Sequence, residues 1–327
     1  MSPRRASVTA KLPPVSLGAV RQAASRLEGV AVRTSLVECS ALTQRLGVAV
    51  YLKCEQEQPV GAFKVRGAYN AIAQLTPAER AAGVITYSSG NHGQAVAFAA
   101  RRLGCRAVVV MPEHAPGIKV EGVKRLGGEV VFGGTTSRTR QERAESMAAE
   151  QGLVIIPPFD HPDIVAGQAT CTLEILEQCP AMGTLVVPVG GGGLLAGACT
   201  VVAALRPEIR VVAVEPAGAA KLSAALAAGH PVSLQNAKSL ADGLLPLSIG
   251  TLTFSIIQPV VADVVLVDDE QLAGAVRALH GVGLRVEPSG AATAAALLAG
   301  AVDVDGPVVA IVSGGNVDDA VFDQLVG

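Results

Sequence analysis

Gly61-Ala62-Phe63-Lys64-Val65-Arg66-Gly67-Ala68 sets a lysine between a phenylalanine and a valine, with small residues on either side. An ammonium in apolar surroundings costs free energy unless it is paired or chemically used. Desolvation lowers a lysine's pKa, and the free amine can then condense with a carbonyl. A lone lysine in such a stretch also reads as a surface residue whose charge snorkels into water. Three glycine-rich loops elsewhere in the chain decide between these readings.

The 327 residues suffice for one large domain or two of ordinary size. Half are hydrophobic and 17% charged, so a substantial core is expected. A net charge of −2 and 3% aromatic residues argue against a nucleic-acid surface, which needs phosphate-neutralising and stacking groups. Cys39, Cys54, Cys105, Cys171, Cys179 and Cys199 have neither CxxC spacing nor a histidine pattern. They read as reduced, buried thiols of a cytosolic protein. No apolar run approaches the roughly 20 residues of a membrane span. The first 27 residues lack acids and carry Arg4 and Arg5, but Pro13 and Pro14 interrupt them and no signal-peptide apolar region follows. The expectation is a short disordered leader, a helix over 16–27 and a cytoplasmic protein.

Short β-branched runs alternate with longer alanine-rich stretches. Strands are expected over 48–53, 83–87, 107–111, 129–132, 153–156, 184–189, 211–214, 261–267 and 308–312. Helices are expected over 94–103, 137–151, 166–178, 194–205 and 269–279. Near-continuous apolar strands separated by helices predict an α/β fold of mostly parallel sheets covered on both faces. No repeat or long linker interrupts the pattern, and no appended regulatory domain is expected after the last strand.

Ligands of open α/β sheets sit beyond the carboxyl ends of the strands. Three predicted strands run into small, polar loops: Ser88-Ser89-Gly90-Asn91-His92-Gly93, Gly190-Gly191-Gly192-Gly193, and Ser313-Gly314-Gly315-Asn316. Four successive glycines leave backbone N–H groups open to an anion, and Leu194 begins a helix whose positive end faces the same point. No Gly-Lys-Ser/Thr follows, and Gly-x-Gly-x-x-Gly with a later acid does not fit, so the loop suits a single phosphate monoester. A flexible turn is the alternative. The 88–93 loop offers hydroxyls, an amide and backbone donors to a carboxylate or a phenolic oxygen, although a plain helix cap uses the same residue types. A phosphate for the cup and an aldehyde for Lys64 together describe pyridoxal 5′-phosphate, an electron sink for carbanions.

These four motifs, in this order and spacing, resemble those of the fold-type II pyridoxal-phosphate enzymes. Within them the chain is most similar to the serine/threonine dehydratases, serine racemases and threo-3-hydroxyaspartate ammonia-lyases, from about Leu17 to the C-terminus. The resemblance implies a tryptophan-synthase-β-like fold. A large cofactor-binding domain would comprise residues 1–75 and 158–327, and a small mobile domain residues 76–157. It implies dehydration and deamination of a small β-hydroxy amino acid such as L-threonine or L-serine, with racemisation, or a threo-3-hydroxyaspartate or 3-phenylserine substrate, as alternatives. A non-catalytic pyridoxal-phosphate or amino-acid binding protein is the reading outside enzymes. A homodimer is expected, with no nucleic-acid or membrane partner.

Residue by residue, the resemblance implies that Lys64 links to the cofactor and exchanges protons at the substrate's Cα. Phe63 would pack on the pyridine ring and Asn91 would bond its 3′ oxygen. Gly190, Gly191, Gly192, Gly193 and Leu194 would hold the phosphate. Glu287 would lie near the ring, and Ser313 with Gly314 would face its nitrogen. Ser88, Ser89, Gly90, Asn91 and His92 would line the substrate carboxylate site, with Ser89 at the place of the racemases' second acid/base. Arg140 falls where a distal carboxylate could be met, or pairs at the surface with Glu142 or Glu145. A divalent-cation site is implied at Glu215 and Ala219, but Lys221 stands where an aspartate is expected. Its ammonium either replaces the cation's charge or is solvated on a helix, and metal dependence stays open.

Overall fold

The structure is a computed structural model that describes residues 15–327 apart from 89, 114, 116 and 135, and apart from the side chains of 118 and 137. The expected leader and Ser89 therefore lie outside the described residues. The strands are β1 (Leu36–Glu38), β2 (Val50–Cys54), β3 (Val84–Thr86), β4 (Ala107–Met111), β5 (Glu129–Phe132), β6 (Val154–Ile155), β7 (Thr184–Pro188), β8 (Arg210–Pro216), β9 (Asp263–Val267) and β10 (Val308–Val312). The helices are α1 (Leu17–Leu27), α2 (Ser40–Leu46), α3 (Lys64–Ala73), α4 (Pro77–Ala82), α5 (Asn91–Arg102), α6 (Gly117–Arg125), α7 (Ser137–Gln151), α8 (Pro162–Gln178), α9 (Gly193–Leu205), α10 (Lys221–Ala228), α11 (Thr251–Ile257), α12 (Asp269–Gly281), α13 (Pro288–Leu298) and α14 (Asp319–Val326).

Every strand expected from the sequence is present. β1 was not expected: three residues carry too little alternation to read. Helix α8 starts earlier than expected because His161 Nδ1 accepts from Asp163 N and Pro162 suits the first helical turn.

One sheet has the order β1-β2-β10-β7-β8-β9 and the other β5-β4-β3-β6. All pairings are parallel except β1 with β2. The four-stranded sheet is built from consecutive chain between β2 and β7. In the larger sheet alternate residues serve opposite faces, as a period of two requires. Val186, Val212 and Ala310 join the core beneath α12 and α13, whereas Leu185, Val211 and Val309 join the core beneath α8 and α9. All six cysteines are buried and unpaired. Among the described residues no helix is long and apolar enough to cross a membrane.

A buried ion network fixes α3, the helix that begins with Lys64. Arg66 is fully buried and donates from Nε and Nη2 to both oxygens of Glu55, each at 2.7 Å. It also forks onto Glu174 of α8 at 2.7 and 2.9 Å. Lys53 on β2 closes the set, donating to Glu174 at 2.6 Å, Gln178 at 2.9 Å and Thr34 O at 2.9 Å. Burial pushes the Glu55 carboxyl up, but the Arg66 guanidinium outweighs it and the net shift is downward. Removing one member of such a set typically costs about 3–5 kcal/mol, so the register of α3 against α8 is held firmly.

Candidate active site

The lysine turn and the last strand-end loop are joined by backbone. Phe63 N donates to Ser313 O at 3.1 Å, Gly315 N to Gly61 O at 2.9 Å, and Ala62 forms an antiparallel bridge with Gly314. Asn316 Nδ2 donates to Val60 O at 2.7 Å. Motifs some 250 residues apart in sequence thus form one surface, with Lys64 at its edge.

Lys64 Nζ donates to Pro158 O at 2.8 Å and lies 5.2 Å from the centroid of the Phe63 ring. It forms no ion pair with a carboxylate among the described residues. Burial alone lowers its pKa from 10.5 to about 8. A buried amine with one acceptor and no counter-ion keeps spare donor capacity and a substantial neutral fraction near pH 8.

His92 is buried beside it. Burial, reinforced by the Lys64 charge, holds the imidazole down at about 3, so it is neutral. The carbonyl of Ile156 lies 3.1 Å from Nε2 and can only accept, which assigns the ring proton to Nε2 and leaves Nδ1 as an acceptor with no partner among the described residues. Asn91, the first residue of α5, donates to Glu287 Oε1 at 2.6 Å and accepts from Asn316 Nδ2 at 2.8 Å. Its second N–H is left for a ligand. Burial, with Asp242 adding to it, raises the Glu287 carboxyl to about 8, although the Asn91 bond and Lys119 pull the other way. Ser88 and Gly90 are half-buried nearby in chain, with Gly90 N reaching Ser88 Oγ at 3.4 Å. Ser313 is buried and its Oγ lies 3.4 Å from Ser289 O.

The glycine loop joins β7 to α9. No described protein group accepts from the backbone N–H groups of Gly191, Gly192, Gly193 or Leu194, and all four residues are buried. Buried orphan donors are rare, and here they cap the positive end of a 13-residue helix. The glycines also have a packing reason that the sequence does not show. A Cβ on Gly191 would overlap the Phe159 ring; Gly192 has φ +96°, and a Cβ there would lie 2.7 Å from Ile249 Cδ1. Thr253 Oγ1 secures the loop by donating to Gly191 O at 2.9 Å. The donors and the amine fit a phosphate and an aldehyde, so the residues present fit pyridoxal phosphate.

Glu215 and Ala219 come together as the resemblance implies, but around Lys221. Lys221 is fully buried, which rules out the solvated reading, and donates to Val189 O, Ala219 O and Leu244 O at 2.9, 3.0 and 3.0 Å. Glu215 Oε2 lies 3.6 Å from Nζ. Burial lowers the amine to about 8 against the raising effect of Glu215. Arg140 is half-buried on α7, with burial lowering its pKa. Glu142 is engaged by Arg138 and Glu145 by Gln141.

The sequence reading passed over Pro158, Phe159 and Asp160. Pro158 accepts from Lys64, Phe159 packs on the glycine loop, and Asp160 receives Thr251 N and Thr253 N at 3.0 and 3.1 Å. The available signal was position: they follow β6 as the other loops follow β3, β7 and β10.

Over residues 27–314 the chain matches the family described as pyridoxal-phosphate dependent enzyme. It is 43% identical to the biosynthetic L-threonine dehydratase of Pasteurella multocida over 84% of this chain, and spans only about half, 53%, of that relative's length. It is 38% identical to an L-threonine ammonia-lyase of Thermotoga maritima, covering 95% of this chain and 78% of the relative. The solved structure of maize serine racemase superposes with a TM-score of 0.92 at 36% identity, covering 95% of this chain and 97% of that one. The orphan donors at the glycine loop, the under-partnered Lys64 and these matches agree: the chain belongs to the pyridoxal-phosphate-dependent enzymes, with the fold-type II architecture.

Proposed function

We propose that the protein removes water and then ammonia from a small β-hydroxy amino acid such as L-threonine or L-serine, leaving a 2-oxo acid and ammonium. The observation that carries this reading is Lys64: a largely desolvated amine with a single carbonyl acceptor among the described residues, on a turn fastened to the loops that follow β6 and β10. Pyridoxal phosphate, when bound, supplies an electron sink for the pair left on the substrate's Cα. Lys64 Nζ holds the cofactor and moves the Cα proton. The N–H groups of Gly190, Gly191, Gly192, Gly193 and Leu194 would hold the phosphate, and Asn91 would offer its remaining N–H to the ring's 3′ oxygen. Phe63 packs on the ring. Glu287 lies beside it, largely protonated at neutral pH by its raised pKa. Ser313, beside Gly314, would face the ring nitrogen as a neutral hydroxyl. Ser88, Ser89, Gly90 and His92 would receive the substrate carboxylate, and Arg140 would meet the distal one of a substrate that carries it.

In this reading residues 76–157 form a small unit that closes over the substrate, two chains form a dimer, and the enzyme works in the cytoplasm. A panel of L-serine, L-threonine, 3-hydroxyaspartate and 3-phenylserine, followed by 2-oxo acid release, tests the reading. No release from any of them overturns it.

The similarity to maize serine racemase supports racemisation as a second activity. Racemisation needs a proton donor on each face of the planar carbanion, and the resemblance offers Ser89 for the face opposite Lys64. Ser89→Ala is therefore expected to keep 2-oxo acid formation from L-substrates within about tenfold, a barrier change of about 1.4 kcal/mol. It should abolish D-isomer formation, read by chiral chromatography. Loss of elimination with racemisation intact would reverse the assignment of the two faces.

A further inference from the structure

A divalent cation implied at Glu215 and Ala219 does not fit the residues present. Such an ion takes six to eight oxygens at about 2.0–2.6 Å. Here the centre of the oxygen set is filled by Lys221 Nζ, at hydrogen-bond distances of 2.9–3.0 Å from three carbonyls. The Glu215 carboxylate is spent as well: Oε2 accepts from Leu222 N at 3.0 Å, and Oε1 from Ser223 N at 2.9 Å and Ser223 Oγ at 2.8 Å. Among the described residues no group of three or more His, Cys, Asp or Glu could hold a metal.

We propose that Lys221 is a built-in cation: its ammonium stands permanently where a dissociable ion is implied, and the chain needs no metal there. An ammonium has three N–H donors, and three carbonyls receive them. The three carbonyls belong to three separate segments. Val189 immediately precedes Gly190 and so roots the phosphate loop. Ala219 ends the 3₁₀ turn Ala217–Ala219 before α10. Leu244 ends the 3₁₀ turn Asp242–Leu244, whose Gly243 N is held by Ser289 Oγ at 2.8 Å. Glu215 balances the charge from β8. The ammonium thus ties the glycine loop to the two segments behind it, as a coordinated ion would, but cannot be removed by chelation or exchanged for another ion. This holds whichever amino acid the enzyme takes.

The test uses the holoenzyme. Metal content by mass spectrometry should fall well below one divalent ion per chain. Melting temperature and cofactor dissociation should be the same in excess EDTA as in millimolar Mg²⁺, Ca²⁺ or Mn²⁺. One tightly bound equivalent, or a melting temperature that drops on chelation, overturns the proposal. Lys221→Asp exchanges the ammonium for a second carboxylate and should create a cation requirement: divalent ions raise its melting temperature and tighten cofactor binding by about tenfold. A folded Asp variant indifferent to divalent ions overturns the replacement. Lys221→Met, which removes the charge at similar volume, should weaken cofactor retention about tenfold in any salt, the scale of a lost charge-assisted hydrogen bond. A Met variant equal to wild type in melting and retention counts against the proposal. Metal content, melting and cofactor release do not depend on substrate identity, so this proposal and the dehydratase reading fail separately.

Discussion

Lys64 and Lys221 are both amines that burial pulls down to about 8, yet their partners differ. Lys221 gives its three protons to three carbonyls and faces Glu215, whose oxygens also receive Leu222 and Ser223. Lys64 gives one proton to Pro158 O and has no counter-ion among the described residues. The same contrast separates the two buried carboxyls. Glu215 is surrounded by donors, while Glu287 has one among the described residues, from Asn91, and burial raises it to about 8. Burial by itself therefore does not mark a reactive group. What marks it is burial with donors and acceptors left over, because the missing partners are supplied by a ligand.

The largest effect should come at the under-partnered amine. Lys64→Ala should remove the visible absorbance of bound cofactor and lower turnover by at least about 10²–10⁴-fold, the span of one positioned proton-transfer group. The cofactor-free protein should melt no lower than wild type, since an unpaired buried amine costs stability. Lys221→Met should shift the balance the other way: at saturating cofactor the chromophore is kept, though held about tenfold less tightly, and the fold is weakened. If both variants lost chromophore and stability alike, the contrast between the two lysines would be broken.

The glutamates sharpen it. Glu215→Gln cannot accept from all its donors and leaves Lys221 without a counter-charge, so it should cost about 3–5 kcal/mol in urea unfolding. Glu287→Gln should cost less than about 1 kcal/mol at neutral pH, because the native carboxyl is already mostly protonated there. Its effect should appear as a pH slope. With a pKa of 4.5 unfolded and about 8 folded, Glu287 holds a proton in the native state over that interval and loses it on unfolding. Stability of the cofactor-free wild type should thus fall as pH rises from about 4.5 to 8, by more than that of Glu287→Gln. Equal slopes would place Glu287 in an ordinary environment.

A smaller effect is expected at the phosphate loop. Gly191→Val forces a side chain into the Phe159 ring, so it should cost about 1–3 kcal/mol of stability and also loosen the cofactor. A variant that loses cofactor with an unchanged melting temperature would mean that Phe159 yields freely and that only the phosphate needs the glycine.

These contrasts also explain what the sequence could reveal. The strands were legible because β-branched runs such as those of β4, β5 and β10 declare themselves locally, and α7 because Thr136 and Gly152 cap it. Lys64, the four glycines and the Ser313 loop were legible by composition at strand ends. The reason for the glycines was only half legible: the phosphate could be inferred, but Phe159 arrives from a loop without glycine, Pro157-Pro158-Phe159-Asp160. Lys221 was identified as a departure, yet the three carbonyls that receive it come from Val189, Ala219 and Leu244, and backbone acceptors leave no trace in residue type. The β1 edge and the partner of Asp242 were equally invisible, because both are set by tertiary packing.

That partner gives the smallest predicted effect. Lys119 on α6, beside the four-stranded sheet, pairs with Asp242 in the turn that Lys221 anchors through Leu244. The pair couples the Glu287 surroundings to partly exposed charge: Asp242 raises Glu287 and Lys119 lowers it. Asp242 is half exposed, so the pair is worth at most about 1 kcal/mol. Lys119→Ala should leave global stability within that margin and, if residues 76–157 close over substrate as proposed, raise KM by no more than about fivefold. It should also raise the Glu287 pKa further. Salt near 1 M, with a screening length of about 3 Å, should bring wild type towards the variant while leaving the buried Lys221 node unaffected. The charge swap Lys119→Asp with Asp242→Lys should recover KM. If the swap fails to recover it, or if KM never moved, the pair is incidental to substrate binding.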